Sequence, residues 1–361
     1  MTKIDNLQVL RFGAAAAVVY SHAMDLAITR LGQTTLIPAD STLHHLGGAG
    51  VDIFFVLSGF IIATIARGQH GVAASGAFLW RRFKRVAPMY WLLSLPTLFS
   101  KAQEQALVPA QLIATFLFWP FSGLTISFPL LGPGWTLCFE MLFYVAFAAG
   151  IAFGGRFIWL LVAGYFAALV AGFLVEAPPL KFLGSPLILE FLLGIVIAKT
   201  WRGLPLREAK FVLALGACAL LAPPIFTSLE VDVAASMNEA VGGLWRVAIW
   251  GLPAALIVLA AVRIENPASE AGPLRRALIF LGDASYAIYL VHTIVLRGFG
   301  QVVEKTHISV PGDVVVIVGV IGSIVGGALV HVCLEKPLLQ LMSGKKLTWP
   351  KLPLRSAHPV I

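Results

Sequence analysis

Charge is scarce in this chain. Of its 361 residues only 12% are Asp, Glu, Lys or Arg, against 58% that are hydrophobic, and a soluble domain carries about 25% charged residues. So few charges cannot coat a water-facing surface of this size, which excludes a soluble globular protein. Cysteine is rarer still. Cys138, Cys218 and Cys333 are odd in number, lie in apolar segments and lack metal-ligand spacing, so a disulfide framework is excluded and buried free thiols are expected. Internal repeats and low-complexity tracts are missing. A cleavable leader is missing too: the first apolar run has one basic residue before it and no small-residue cleavage pattern after it, so it reads as a retained first helix. The adjacent His44 and His45 have no further ligand-type cluster beside them, and no metal site is expected. In a soluble protein the net charge of +8 would suggest nucleic acid; here the basic residues fall between apolar runs, and membrane topology accounts for them without a nucleic-acid partner.

What is present is a succession of apolar runs near membrane-spanning length. They cover Leu7–Ile28, Gly50–Ala66, Val86–Phe99, Trp135–Phe153, Phe157–Leu174, Pro186–Ala198, Phe211–Phe226, Val241–Val262, Leu278–Val303 and Val314–Leu334. A further run, Leu112–Phe121, is too short to span and reads as re-entrant or interfacial. The expected fold is an all-α integral membrane protein of about ten transmembrane helices, with a membrane domain over residues 1–340 and a short basic cytoplasmic tail over 341–361. If the spans alternate from a cytoplasmic N-terminus, most of the 26 basic residues fall inside. Arg67, Arg81, Arg82, Lys84 and Arg85 form one such cluster, and the outer side holds Arg30, Lys101, Lys181, Arg246, Arg297 and Lys305. That asymmetry predicts both termini in the cytoplasm of a multi-pass protein of the inner (cytoplasmic) membrane.

Ionisable groups inside spans are costly, and each needs a reason. Arg11 and His22 stand eleven residues apart in the first span. At about 100° per residue they return to one helix face, about 16 Å apart along the axis. Asp52 opens the second span, where it either caps the helix N-terminus or acts as a catalytic carboxylate. Arg82 and Arg85 are adjacent on a helix face and either face anionic lipid or clamp phosphate oxygens. Glu140 lies about two turns into an apolar helix, suited to a structural hydrogen bond, to proton handling or to orienting a histidine. His292 falls mid-span, and His331 and Glu335 are one helical turn apart; structural pairing is the expectation for these three.

Taken in order, these segments resemble the membrane acyltransferase family called acyltransferase 3. The resemblance rests on Arg11 with His22, on Gly50-Val51-Asp52 leading to Ser58-Gly59-Phe60, and on Arg82 with Arg85 followed by Pro88, Tyr90 and Trp91. It continues through Trp135-Thr136-Leu137 with Glu140, Phe143 and Tyr144, through Ser285-Tyr286 with Tyr289, Leu290 and His292, and ends at Glu335-Lys336-Pro337. The wording around Trp135 looks most like the exopolysaccharide branch, the ExoZ-like acetyltransferases. The resemblance implies ten spans, His22 as catalytic residue, Arg11, Arg82 and Arg85 engaging acyl-CoA (acetyl-CoA foremost), and a carbohydrate or lipid-linked saccharide hydroxyl as acceptor. Asp52 or Glu140 then orients His22. The same motifs permit a small-molecule hydroxyl, such as that of a macrolide, as acceptor. A proton-coupled transporter is the rival from another class, because intramembrane ionisable residues also mark ion pathways; against it, no pair of corresponding broken helices recurs in two halves of the chain.

Overall fold

The computed structural model describes residues 4–31, 45–122, 125–226, 240–264, 272–307 and 310–347. His44, the acidic residues Glu230, Asp232 and Glu239, and residues 348–361 of the predicted tail lie outside them, as does the side chain of His45. The described chain is helical apart from one short antiparallel pair. In order, the helices are α1 (Asp5–Leu26), α2 (Ala49–Ile65), α3 (Val72–Gln103), α4 (Pro109–Leu117), α5 (Gly134–Phe153), α6 (Gly155–Leu174), α7 (Pro178–Leu183) and α8 (Ile188–Thr200). They continue as α9 (Leu206–Phe226), α10 (Ala240–Arg246), α11 (Leu252–Arg263), α12 (Pro273–Asp283), α13 (Ser285–Thr306), α14 (Gly312–Val330) and α15 (Lys336–Met342). The pair β1 (Phe121–Ser122) and β2 (Thr125–Ile126) sets Phe121 opposite Ile126.

Among the described residues, 8 helical segments are long and apolar enough to cross a membrane. The chain is a multi-pass membrane protein. The other two predicted spans fall inside α3 and α9. The sequence places a span at Val86–Phe99, but α3 is one helix of 32 residues, about 48 Å long, running through Pro88 and Pro96. Its first half carries Arg81, Arg82, Lys84 and Arg85 on the helix itself rather than in a loop before it. The predicted span Leu278–Val303 is divided at Ala284 into α12 and α13. The short run near Leu112 forms α4, which stops at Phe118 in the left-handed conformation, consistent with a segment that does not cross. Of the three free cysteines only Cys138 is buried; Cys218 and Cys333 are exposed. An apolar helix in a bilayer has an outward face that needs no burial in protein, and a thiol is tolerated there.

Close helix contacts are built on small residues, as membrane bundles require. The pairing of α2 with α8 is the clearest case. A Cβ at Gly59 would lie 2.0 Å from the Phe191 carbonyl oxygen, and one at Gly194 would lie 2.1 Å from that of Val56. Both obstacles are backbone, which cannot rotate aside. Gly194→Ala is therefore expected to force α2 and α8 apart and to cost about 1–3 kcal/mol or more, read as a lowered thermal midpoint in detergent. An unchanged midpoint would show that the two helices separate freely.

Around this contact sits an aromatic core. Phe55, Phe143 and Phe191 stack with centroids 4.5–4.6 Å apart, and Phe139 joins them from α5. Elsewhere α1 packs on α12 and α2, and α13 on α14. Among the described residues three wide π-helical turns, Ala27–Leu31, Val247–Gly251 and His331–Glu335, interrupt the regular helices. Such turns recur at functional sites, and here the second follows Arg246 and the third carries His331 and Glu335.

Candidate active site

A cavity of about 530 Å³ lies among α1, α2, α3, α5, α12 and α13. It follows α2 from Ile65 to Val51, about 21 Å at 1.5 Å per residue. Arg11, Arg82 and Arg85 all line it, so the structure brings together three cations that the sequence distributes over two helices. Their donors are incompletely used. Arg11 Nη1 reaches Gln8 Oε1 at 3.5 Å. Arg82 sits over the Phe78 ring at 5.8 Å, and its buried Nε has no hydrogen-bond partner among the described residues. Arg85 Nη1 lies 3.9 Å from Glu335 Oε1. Glu335 is itself held by His331, whose Nδ1 is 2.6 Å from Oε2. The expected pairing of His331 with Glu335 thus exists, and its carboxylate faces the cavity's arginine. Glu140 and Asp283 contribute negative charge to the same walls.

Glu140 Oε1 accepts a hydrogen bond from Ser58 Oγ at 2.8 Å and another from the Tyr144 hydroxyl. It lines the cavity and makes these contacts instead of touching His22. Asp52 is fully buried and binds Arg246 from α10 through two donors, Nη2 to Oδ2 at 2.9 Å and Nε to Oδ1 at 3.0 Å. The Arg246 guanidinium lies 5.7 Å from the Trp135 ring and 5.3 Å from the Trp250 ring. Glu190, also fully buried, faces Asp52 and Arg246. The sequence counts Arg246 among outer-side charges; the structure puts it inside the bundle, paired with Asp52 and close to Glu190. Neither carboxylate expected beside His22 is found there.

His22 stands apart from the cavity lining, half exposed at 51% of its side chain. Its Nδ1 is 3.4 Å from Asp25 Oδ2, one turn further along α1. Its ring stacks on that of His292 from α13, with centroids 5.1 Å apart and planes 22° apart. His292 in turn lies 5.9 Å from the ring of Tyr289, and Tyr289 lines the cavity. The Tyr289 hydroxyl is 3.0 Å from Thr136 Oγ1 and 3.4 Å from the Pro133 carbonyl. The histidine pair thus sits directly behind the Tyr289 wall. Sequence reasoning passed over Asp25, although the three-residue spacing from His22 is the same adjacency rule that pairs Arg82 with Arg85.

A carboxylate that fixes Nδ1 leaves the other imidazole nitrogen to accept a proton, while grouped guanidiniums favour an anionic partner. The bundle therefore has the means to hold an anionic ligand in the cavity and, separately, a group able to accept a proton. The comparisons specify the class. The profile of a family described as an acyltransferase domain matches residues 4–332, and the chain belongs to that family, acyltransferase 3. It is 31% identical over 339 residues to the exopolysaccharide production protein ExoZ of Rhizobium meliloti (strain 1021), covering 86% of this chain and 96% of that protein. It is 26% identical over 400 residues to acyltransferase MdmB of Streptomyces mycarofaciens, covering 96% of this chain and 94% of that one. No solved structure matches. The chain is an acyl-transferring membrane enzyme.

Proposed function

We propose that this enzyme transfers an acyl group, acetyl foremost, from acyl-CoA to a hydroxyl of an exopolysaccharide or lipid-linked sugar at the inner (cytoplasmic) membrane, with both termini cytoplasmic. The observation that carries this reading is the gathering of Arg11, Arg82 and Arg85 along one elongated cavity. CoA presents a pyrophosphate and a ribose phosphate at one end and a thioester on a narrow, uncharged arm at the other. Guanidiniums suit the phosphates. The walls beyond them, with Phe54, Phe55, Ile61 and Thr136, suit the arm. The similarity to ExoZ, an exopolysaccharide production protein, supports a saccharide acceptor.

The chemistry follows from the arrangement behind Tyr289. Asp25 orients His22 through Nδ1, and Nε2 takes the proton of the acceptor hydroxyl as its oxygen attacks the thioester carbonyl. The tetrahedral species collapses, the carbon–sulfur bond breaks, and the CoA thiolate leaves with the proton held by His22. An ester and free CoA–SH result, and His22 returns neutral.

Purified protein given acetyl-CoA and the producing cell's lipid-linked glycans should release thiol. Mass spectrometry of surface polysaccharide should lose an acetyl increment when the gene is deleted. Polysaccharide of unchanged mass would overturn the acceptor class, and absence of thiol release would overturn the donor. Arg82→Ala combined with Arg85→Ala should raise KM for acetyl-CoA about tenfold to a hundredfold, as loss of charge-assisted contacts implies. It should also flatten the salt dependence of binding. Unchanged CoA affinity would remove the pair from the donor site and leave it a structural part of the cavity wall.

A further inference from the structure

Proton transfer through His22 and Asp25 gives His292 no task, and its surroundings are unusual for a residue that only fills space. It is fully buried. Its Nδ1 lies 2.6 Å from the Tyr289 carbonyl oxygen. A carbonyl only accepts, so Nδ1 carries the proton, and the lone pair of a neutral ring falls on Nε2. That nitrogen is buried and has no hydrogen-bond partner among the described residues. One face of the ring is given to His22 at 5.1 Å, in near-parallel stacking.

We propose that His292 is a positioning residue for His22: its neutral ring fixes the plane of the His22 imidazole and offers a π face to the cation that forms when His22 takes the acceptor's proton. The inference rests on the reading of His22 as general base. His22 is half exposed, and an imidazole in that setting turns freely about its side-chain bonds unless something holds it. Asp25 fixes one edge and His292 fixes the face, which leaves Nε2 of His22 for the acceptor. The face does more than hold. The face of an aromatic ring attracts a cation, and His22 is cationic only after it has taken a proton. The interaction therefore strengthens along the reaction coordinate, the condition for lowering a barrier rather than merely binding. An aliphatic residue of similar bulk would fill the space and lack the effect.

The test compares His292→Leu, which removes the π face, with His292→Phe, which keeps it and removes both nitrogens. His292→Met repeats the aliphatic arm, so that a folding defect in one variant does not decide the result. Each is expressed as the full chain, checked for insertion and thermal midpoint, and assayed as acetyl-CoA thiol release by membranes of the producing cells, which contain the acceptor. The Leu and Met variants should lose about tenfold in kcat with KM for acetyl-CoA unchanged. Phe should recover to within about threefold of the parent. A Phe variant as poor as Leu would overturn the proposal and assign the work to Nε2, and a Leu variant as active as the parent would overturn it outright. Thiol release by His22→Ala at the parent's rate would instead remove the underlying reading of His22, a result distinct from either.

Discussion

Replacing His22 by alanine is expected to cut acyl transfer by about 10²–10⁴-fold, the range a positioned general base contributes, while leaving acetyl-CoA binding near the parent's. The two effects separate because the structure separates the groups. Arg11, Arg82 and Arg85 line the cavity, whereas His22 lies behind Tyr289 and His292. Folding should also be spared: a half-exposed side chain with one carboxylate contact at 3.4 Å contributes little to a bundle of this size. The measurement is a pair of numbers on one preparation, CoA affinity by equilibrium binding and kcat by thiol release. Loss of both together would mean that His22 supports the fold or the donor site. Retention of both would leave the chemistry without its base.

Arg246→Leu is expected to be the most damaging substitution for stability, costing about 3–5 kcal/mol. The reason is what it leaves behind. Asp52 is fully buried and accepts hydrogen bonds from Arg246, and Glu190 faces the same guanidinium. Removing the cation strands the fully buried Asp52 carboxylate in an apolar bundle without its ion-pair partner. The double variant Asp52→Leu with Arg246→Leu should recover part of the loss, because a missing pair is cheaper than a broken one. Thermal midpoints of the parent, both single variants and the double variant give the coupling directly. Additive midpoints would show that the two residues do not depend on each other.

That pair also marks where sequence reasoning stops. Long apolar runs locate the helices, because a bilayer demands continuous apolar length, and each of the ten predicted spans coincides with helix in the structure. Arg11 and Glu140 stood out because a charge in an apolar helix signals its own cost, and Arg82 and Arg85 because they share a helix face; all four line one cavity, although Glu140 was expected beside His22. Partnership was not legible. Asp52 was expected near His22, but its cation comes from Arg246, 194 positions away, and no spacing rule connects them. Asp25 was hidden for the opposite reason: near the end of α1 it resembles an ordinary exposed carboxylate, and only the contact with His22 gives it a role. The break at Ala284 was missed although Gly282, Asp283 and Ser285 interrupt the apolar run there, because apolar residues resume on both sides.

The tight seating of α2 against α8 governs how this molecule can breathe. With backbone from each helix filling the space a side chain would occupy at Gly59 and Gly194, the two cannot slide or rotate independently and travel as one stiff plate. Ser58 and the α2 wall of the cavity ride on that plate. On the other side of the cavity α3 runs through Pro88 and Pro96, and α12 ends at Asp283 before α13 begins at Ser285. The cavity thus has one wall, α2, locked to α8 by backbone contact, while Arg82, Arg85 and Tyr289 stand on helices outside that pair.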